Sequence, residues 1–318
     1  MRRGLTPIGG LEADFWESRC KSLLLQPNGA GTSNISAEYT SSAKAHLLTC
    51  GRAWALSLSQ RSSLSEGIFR ICFPCNDDVI EESLLYRVVR EVRNGSALNP
   101  KSYVHGKGMN RFWSNVEGYH GPLLLLISAI LDESSESTGK WIIGGLIQEG
   151  LENRDVFYGS GGCLYSMYPV FHVFTASGKE HNYLYSHLHP AVRVYERNPK
   201  PLGIGFGGSI GNERVFIDED FAKVTIRHHA VDKTYQPGSL FPTQDFLPVE
   251  ASILEVEVWG LGGKTAKEVQ ISYKKREELF TEQRRKVDLK TFGSWEDSPE
   301  KMMMDMISNP NTVRREER

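Results

Sequence analysis

From Gly121-Pro122 to Gly262-Gly263 the chain is a succession of short apolar segments separated by clusters of Gly, Pro, Asn and Asp, and no other feature restricts its fold as strongly. The segments are Leu123 to Leu131, Trp141 to Gln148, Cys163 to Tyr168, Phe171 to Ala176, Tyr183 to His187, Val192 to Tyr195, Arg214 to Asp218, Ala222 to Arg227 and Ser252 to Trp259. Runs of this length bounded by turn formers are strands. In the last one Leu254, Val256 and Val258 alternate with Glu255 and Glu257, which predicts one buried and one wet face. No βαβ rhythm appears, so the spacing predicts an antiparallel meander, packed as two sheets. The run from Leu123 to Ile127 ends in Asp132 well short of the roughly 20 residues a membrane span needs, and it reads as a buried strand.

The flanks differ. Residues 1–76 are Ser-rich and partly irregular, with short apolar pieces at Cys20 to Leu25 and Ala43 to Leu48 and a compact apolar stretch at Ser65 to Cys75. Asp77 to Arg93 is predicted as a helix, with Asn76 or Asp77 as N-cap and Asp78, Glu81 and Glu82 in its first turn. Beyond Gly263, Lys267 to Lys290 is predicted as a charged helix with Val269, Tyr273, Phe280 and Val287 near one stripe, followed by a mobile tail. The expected division is therefore residues 1–76, a domain at 77–263, and a helical extension at 264–318.

With 37 basic against 39 acidic residues the chain has no bulk attraction for nucleic acid or anionic lipid. The start lacks an apolar signal core, and Glu12, Asp14 and Glu17 speak against an organellar address, though the Ser-rich start keeps a plastid one as an alternative. Five cysteines without a secretory signal predict free thiols in a reducing compartment.

Each motif has a chemical reading and a bland one. Gly203-Ile204-Gly205-Phe206-Gly207-Gly208 matches a dinucleotide-binding pattern literally. That pattern needs a strand before it and a helix N-terminus after it to meet a pyrophosphate. Here a proline-broken loop precedes and strand follows, so the glycines serve close backbone packing and Gly211-Asn212 a hairpin turn. Cys72-Phe73-Pro74-Cys75 has redox or half-zinc spacing but no second ligand pair, leaving a redox pair as the alternative to incidental thiols. His187-Leu188-His189 and His228-His229 lack completing ligands, and Gly159-Ser160-Gly161-Gly162 lacks the strained strand-to-helix turn of a nucleophile elbow. Asp218-Glu219-Asp220 cannot converge on one point, because successive residues of a strand face opposite ways. The clusters Lys274-Lys275-Arg276 and Arg284-Arg285-Lys286 have nuclear-localisation-like spacing, and pairing with Glu277, Glu278 and Glu282 accounts for them equally well. No catalytic constellation, metal site or cofactor site emerges.

Taken in order, Pro122 to Ile127, Phe157-Tyr158-Gly159-Ser160-Gly161, Leu202 to Gly208, Phe216 to Phe221 and Leu254 to Gly260 resemble the TLDc family of oxidation-resistance proteins, over roughly Asp77 to Gly263. The resemblance implies a two-sheet β-sandwich flanked by helices, a role in oxidative-stress protection without an active site, and binding to the cytosolic part of the vacuolar proton-pumping ATPase. It implies a cytoplasmic location, including the vacuolar membrane surface, and no cofactor. Gly106, Gly159, Gly161, Gly205, Gly207, Gly208, Asp218, Glu219, Asp220 and Trp259 become its motif or partner-binding residues. Some relatives carry a helix after the domain that contacts the ATPase, and Lys267 to Lys290 is similar. The layout is closest to plant members. Two departures stand out. Gly162 replaces a customary Glu, and residues 87–104 intervene between Leu84-Leu85-Tyr86 and His105-Gly106, which the family joins almost directly. The rival readings are a thiol-dependent antioxidant enzyme using Cys72, Cys75 or Cys163, and a nuclear factor acting through the basic helix.

Overall fold

The computed structural model describes residues 46–60, 62–72, 83–89, 105–131, 139–189, 199–242 and 244–295 with residues 301, 303, 304 and 307. They belong to one unit, Ala45–Arg318. The expected strand Val192 to Tyr195, the region before His46 and Cys75 lie outside them.

Among the described residues two helices come first, α1 (Cys50–Leu58) and α2 (Ser62–Cys72), followed by β1 (Leu84–Val89) and α3 (Met109–Val116). A run of strands follows: β2 (Leu123–Ile130), β3 (Lys140–Ile147), β4 (Arg154–Tyr158), β5 (Gly162–Tyr168), β6 (His172–Thr175) and β7 (Leu184–His187). Next are β8 (Gly203–Ser209), β9 (Asn212–Asp218), β10 (Lys223–Ile226) and β11 (Val249–Gly260), and α4 (Gly263–Trp295) closes the series. Edge to edge the order is β4-β7-β8-β9-β10-β11-β2-β3-β5-β6, with β1 also on β11. Every pairing is antiparallel.

The strands thus form one hydrogen-bonded path where two sheets were expected. The reason lies in β11. Its first residues, Val249 to Ser252, pair with β10, while Glu255 to Trp259 pair with β1, and the register shifts between Ile253 and Glu255. A shift of this kind bends a strand and lets it serve two layers. The sheet also curls on itself: a Cβ on Gly145 of β3 would lie 2.6 Å from the Phe206 ring of β8, so the close approach of these layers requires glycine.

Strand β2 is buried along its whole length because both faces are covered. Leu123, Leu125, Ile127 and Ala129 point into the inner core, and Leu124 and Leu126 pack under α1 and α2 with Ala53, Leu56, Ile68 and Ile71. A strand covered on both sides reads as a continuous apolar run, as the sequence does here. Each such Leu or Ile contributes about 1.5–3 kcal/mol by leaving water. At one end of the inner core α3 seats Met109, Phe112, Trp113 and Val116, one helical stripe.

The helix predicted over Asp77 to Arg93 is overturned by β1, a strand at Leu84–Val89 whose middle four residues are buried. Val88 and Val89 suit a strand, and the second half of β11 offers an edge that must be paired. Strand β4 was missed because Arg154, Asp155 and Val156 are exposed on the sheet's edge and show no apolar alternation. The C-terminal helix is present and longer than expected.

Candidate functional site

The Gly203 to Phe221 stretch is the hairpin β8–β9, not a strand leading into a helix. The nucleotide-like pattern therefore never meets the helix terminus that gives it meaning. Gly207 and Gly208 have φ of +64° and +83°, and Cβ atoms on them would lie 2.7 Å from Thr234 Oγ1 and 2.2 Å from the Asn212 carbonyl oxygen. Gly205 is buried between Tyr185 and Glu213. Asp218 Oδ1 accepts from the Ala222 and Lys223 amides at 2.8 and 3.1 Å, so that carboxylate holds the turn. Glu219 and Asp220 remain exposed, and the Glu219 carbonyl accepts from Met109 N at 2.8 Å. The acidic triplet is thus one structural carboxylate and two solvent-facing ones, beside the start of α3.

Gly106 belongs to the same end of the sheet: its carbonyl accepts from Tyr86 Oη at 2.9 Å. The Arg87 amide lies 2.9 Å from His105 Nδ1. The two sides of the departure at 87–104 therefore meet, and β1 continues to Val89 before the chain leaves. Gly159 and Gly161 line a small concavity with Gln148, Glu149, Tyr158 and Tyr235, beside the Ser160–Glu149 contact. Its volume of about 10 Å³ suits at most one water, far below what a small-molecule ligand occupies. Burial pushes the Tyr158 phenol up to about 12, so it stays protonated and donates to the Glu152 carbonyl.

Two buried charge clusters went unseen in the sequence. Arg214, wholly buried, donates to Asp232 Oδ2 at 3.0 Å and to the carbonyls of Gln236 and Gly238 at 2.6 and 2.8 Å. Its guanidinium lies 4.5 Å from the Phe174 ring centroid. Burial opposes ionisation of Asp232, but hydrogen bonds from His229, Thr234 and the backbone outweigh it and hold the carboxyl well below its ordinary range. This clamp fixes the connection after β10 against the edge of β6, where Gln236 N donates to Thr175 O at 3.0 Å. The sheet's β6 edge is in that way capped rather than open.

The second cluster corrects the expectation of a wet face on β11. Glu257 is fully buried; His46 Nδ1 lies 3.0 Å from its carboxylate, Trp259 Nε1 donates at 3.0 Å, the Leu48 amide at 3.2 Å, and Arg87 Nε lies 3.3 Å away. Glu255 pairs with Arg87 at 2.6 Å. Burial raises the Glu257 carboxyl, yet the hydrogen bonds win and hold it below its usual value. The face is covered because the segment entering α1 lies on it. Trp259 packs beneath that cover, edge-on to His46 at 5.2 Å, and reaches no surface.

Two surfaces among the described residues carry several exposed apolar side chains. Tyr168, Phe171, Ile210, Val231, Phe246 and Leu247 are exposed at the end of the sheet opposite α3, the last three at 74–88%. The registers Ile130 with Lys140, Ile142 with Tyr168 and Ile226 with Val249 bring those connections together. The other surface is α4. Gln270, buried, donates to the carbonyls of Asn115 and Glu117 at 2.8 and 3.2 Å, and Tyr273 Oη donates to Glu117 at 3.0 Å. These contacts fix the root of the helix. From Lys274 to Lys286 every residue is exposed, including Leu279 and Phe280 at 58% and 57%. At 1.5 Å per residue that stretch projects about 20 Å.

Cys72 closes α2, and residues 73–82 lie outside the described ones. The helix expected to follow the Cys-x-x-Cys spacing is a strand from Leu84 on. Among the described residues no three His, Cys, Asp or Glu are placed to hold a metal ion, and no helix is long and apolar enough to cross a membrane.

Comparison with known families places a TLDc domain at residues 100–262. The MTOR-associated protein MEAK7 of Danio rerio is 28% identical over 160 residues, 50% of this chain and 31% of that protein. Its Homo sapiens counterpart is 25% identical over 174 residues, 54% of this chain and 34% of the relative. Restriction of telomere capping protein 5 of Zygosaccharomyces rouxii is 24% identical over 143 residues, 45% and 26% of the two chains. The matched stretch spans a third or less of the length of the Danio rerio and Zygosaccharomyces rouxii relatives.

Proposed function

The chain belongs to the TLDc-domain family, and on that premise we propose that it is a non-catalytic interaction protein that binds the cytosolic subunits of the vacuolar proton-pumping ATPase at the vacuolar membrane surface and raises tolerance of oxidative stress. The observation that carries the reading is α4. A helix rooted by a buried Gln270 and then exposed on all sides, with Leu279 and Phe280 in water, is a poor stabiliser of its own domain and a good ligand for a groove. The relatives' description as MTOR-associated likewise supports protein partners.

The test is a pull-down of purified cytosolic ATPase subunits by the full chain, with Leu279→Glu/Phe280→Glu as the comparison. Association at micromolar concentration, lost in the variant at unchanged melting temperature, is the expected result. No association by either protein, or equal association by both, refutes the reading.

A further inference from the structure

The exposed part of α4 sorts its side chains by sign. An α-helix turns about 100° per residue, which sets Lys275, Arg276, Leu279, Phe280, Arg284 and Lys286 on one half of the stretch from Lys274 to Lys286. The acids of this stretch, Glu277, Glu278 and Glu282, all fall on the other half, together with Lys274 and Arg285. One half therefore carries four cations around two apolar side chains and no acid, and the other carries three acids against two cations.

The sequence allows i,i+4 pairing to neutralise both basic clusters. Among the described residues only Lys286 is so paired, with its amine 3.1 Å from Glu282 across the edge between the halves, while Lys275, Arg276 and Arg284 form no ion pair. The helix root settles which half faces the domain. Gln270 and Lys274 donate to the Asn115 carbonyl at 2.8 and 3.2 Å, and both continue the line of the acid-bearing half. The cationic half thus turns away from α3, with Tyr273 at its border. Unpaired like charges along one side do not stabilise the helix itself. An apolar centre with a charged rim is the form of a helix laid in a groove, and the sign of the rim sets the sign of the groove.

We propose that α4 docks by this half into a partner groove with an apolar floor and an acidic rim. Leu279 and Phe280 enter the floor, and Lys275, Arg276, Arg284 and Lys286 meet carboxylates on the rim. The inference rests on the reading of α4 as the ligand for the ATPase subunits and adds the docking face and the chemistry of the groove.

The experiment measures binding of the purified cytosolic ATPase subunits to the full chain by biolayer interferometry, at about 50 mM and about 300 mM salt. Wild type is compared with Arg276→Glu and Arg285→Glu, which make the same charge change at exposed positions about 180° apart on the helix. The expected result is a Kd about tenfold weaker at the higher salt for wild type and about tenfold weaker at low salt for Arg276→Glu. Arg285→Glu should change it by less than about twofold, at equal melting temperatures of all three proteins. Equal losses from the two variants, or wild-type binding that ignores salt, overturn the inference while the ATPase reading stands. No wild-type association at all refutes that reading, and the inference falls with it. Binding to phosphatidylserine vesicles that Arg276→Glu abolishes and Arg285→Glu spares, with subunit binding unaffected by either, assigns the face to lipid and overturns the proposal.

Discussion

Replacing Asp232 with Asn tests whether the Arg214 clamp holds the capped edge of the sheet. Asp232 Oδ1 accepts from Thr234 N at 2.8 Å, Thr234 Oγ1 at 2.6 Å and Tyr235 N at 3.2 Å, and Oδ2 from Arg214 at 3.0 Å. All of these are donors. An Asn amide is isosteric, but in either flip its NH₂ faces donors, and the Arg214 charge loses its counter-ion in a site that is 0% and 1% exposed on its two sides. With so little solvent the surface discount on ion pairs does not apply. Breaking one partner out of a buried pair costs about 3–5 kcal/mol, which in a chain of this size lowers the melting temperature by on the order of 10 °C. The pH dependence has a definite sign. Because the folded carboxyl is held below its unfolded value, its contribution is complete above the unfolded value, about pH 4, and is lost as pH falls through the folded one. Wild type and Asp232→Asn should therefore differ most above about pH 5 and converge in acid. The assay is urea unfolding across that range, with limited proteolysis at residues 228–238. A variant within about 1 kcal/mol of wild type at neutral pH, or a gap that widens in acid, refutes the reasoning.

Gly208→Val should fail to fold or lose several kcal/mol, about 3 or more, because its Cβ would meet a backbone oxygen and its φ is +83°; Gly207→Val should also destabilise, because its φ is +64° and its Cβ would meet the Thr234 hydroxyl and the Tyr235 ring, and unchanged melting of either refutes the hairpin reading. Glu257→Gln places an amide among four donors, so it should cost about 2–4 kcal/mol and speed amide exchange in α1 and α2 before the rest of the sheet. Exchange that rises uniformly shows instead that the cluster does not fasten the N-terminal cover.

The strand rhythm was legible from Gly121 onward because alternation and turn chemistry are local properties, and nearly all the expected segments that fall in the described residues are strands there. The ordered motifs carried the family for the same reason. The glycine hairpin was read correctly against its nucleotide-like spelling, since a proline loop before it and strand after it are both visible in the chain. The charged helix was legible too, from its composition and its stripe.

What the sequence could not determine is where distant charges meet. Glu257 alternates with apolar residues and so reads as wet; it is dry because His46, Leu48 and Arg87 arrive from far along the chain to supply donors. Arg214 and Asp232 look like surface residues until the connection after β10 folds over β9. Leu84 to Val89 carries a helical reading that the unpaired edge of β11 overrides, and β11 itself serves two layers because its register shifts near Leu254. Local pattern fixes which segments are strands. Burial of a charge and the choice of strand partner depend on contacts between remote segments, and only the tertiary structure decides them.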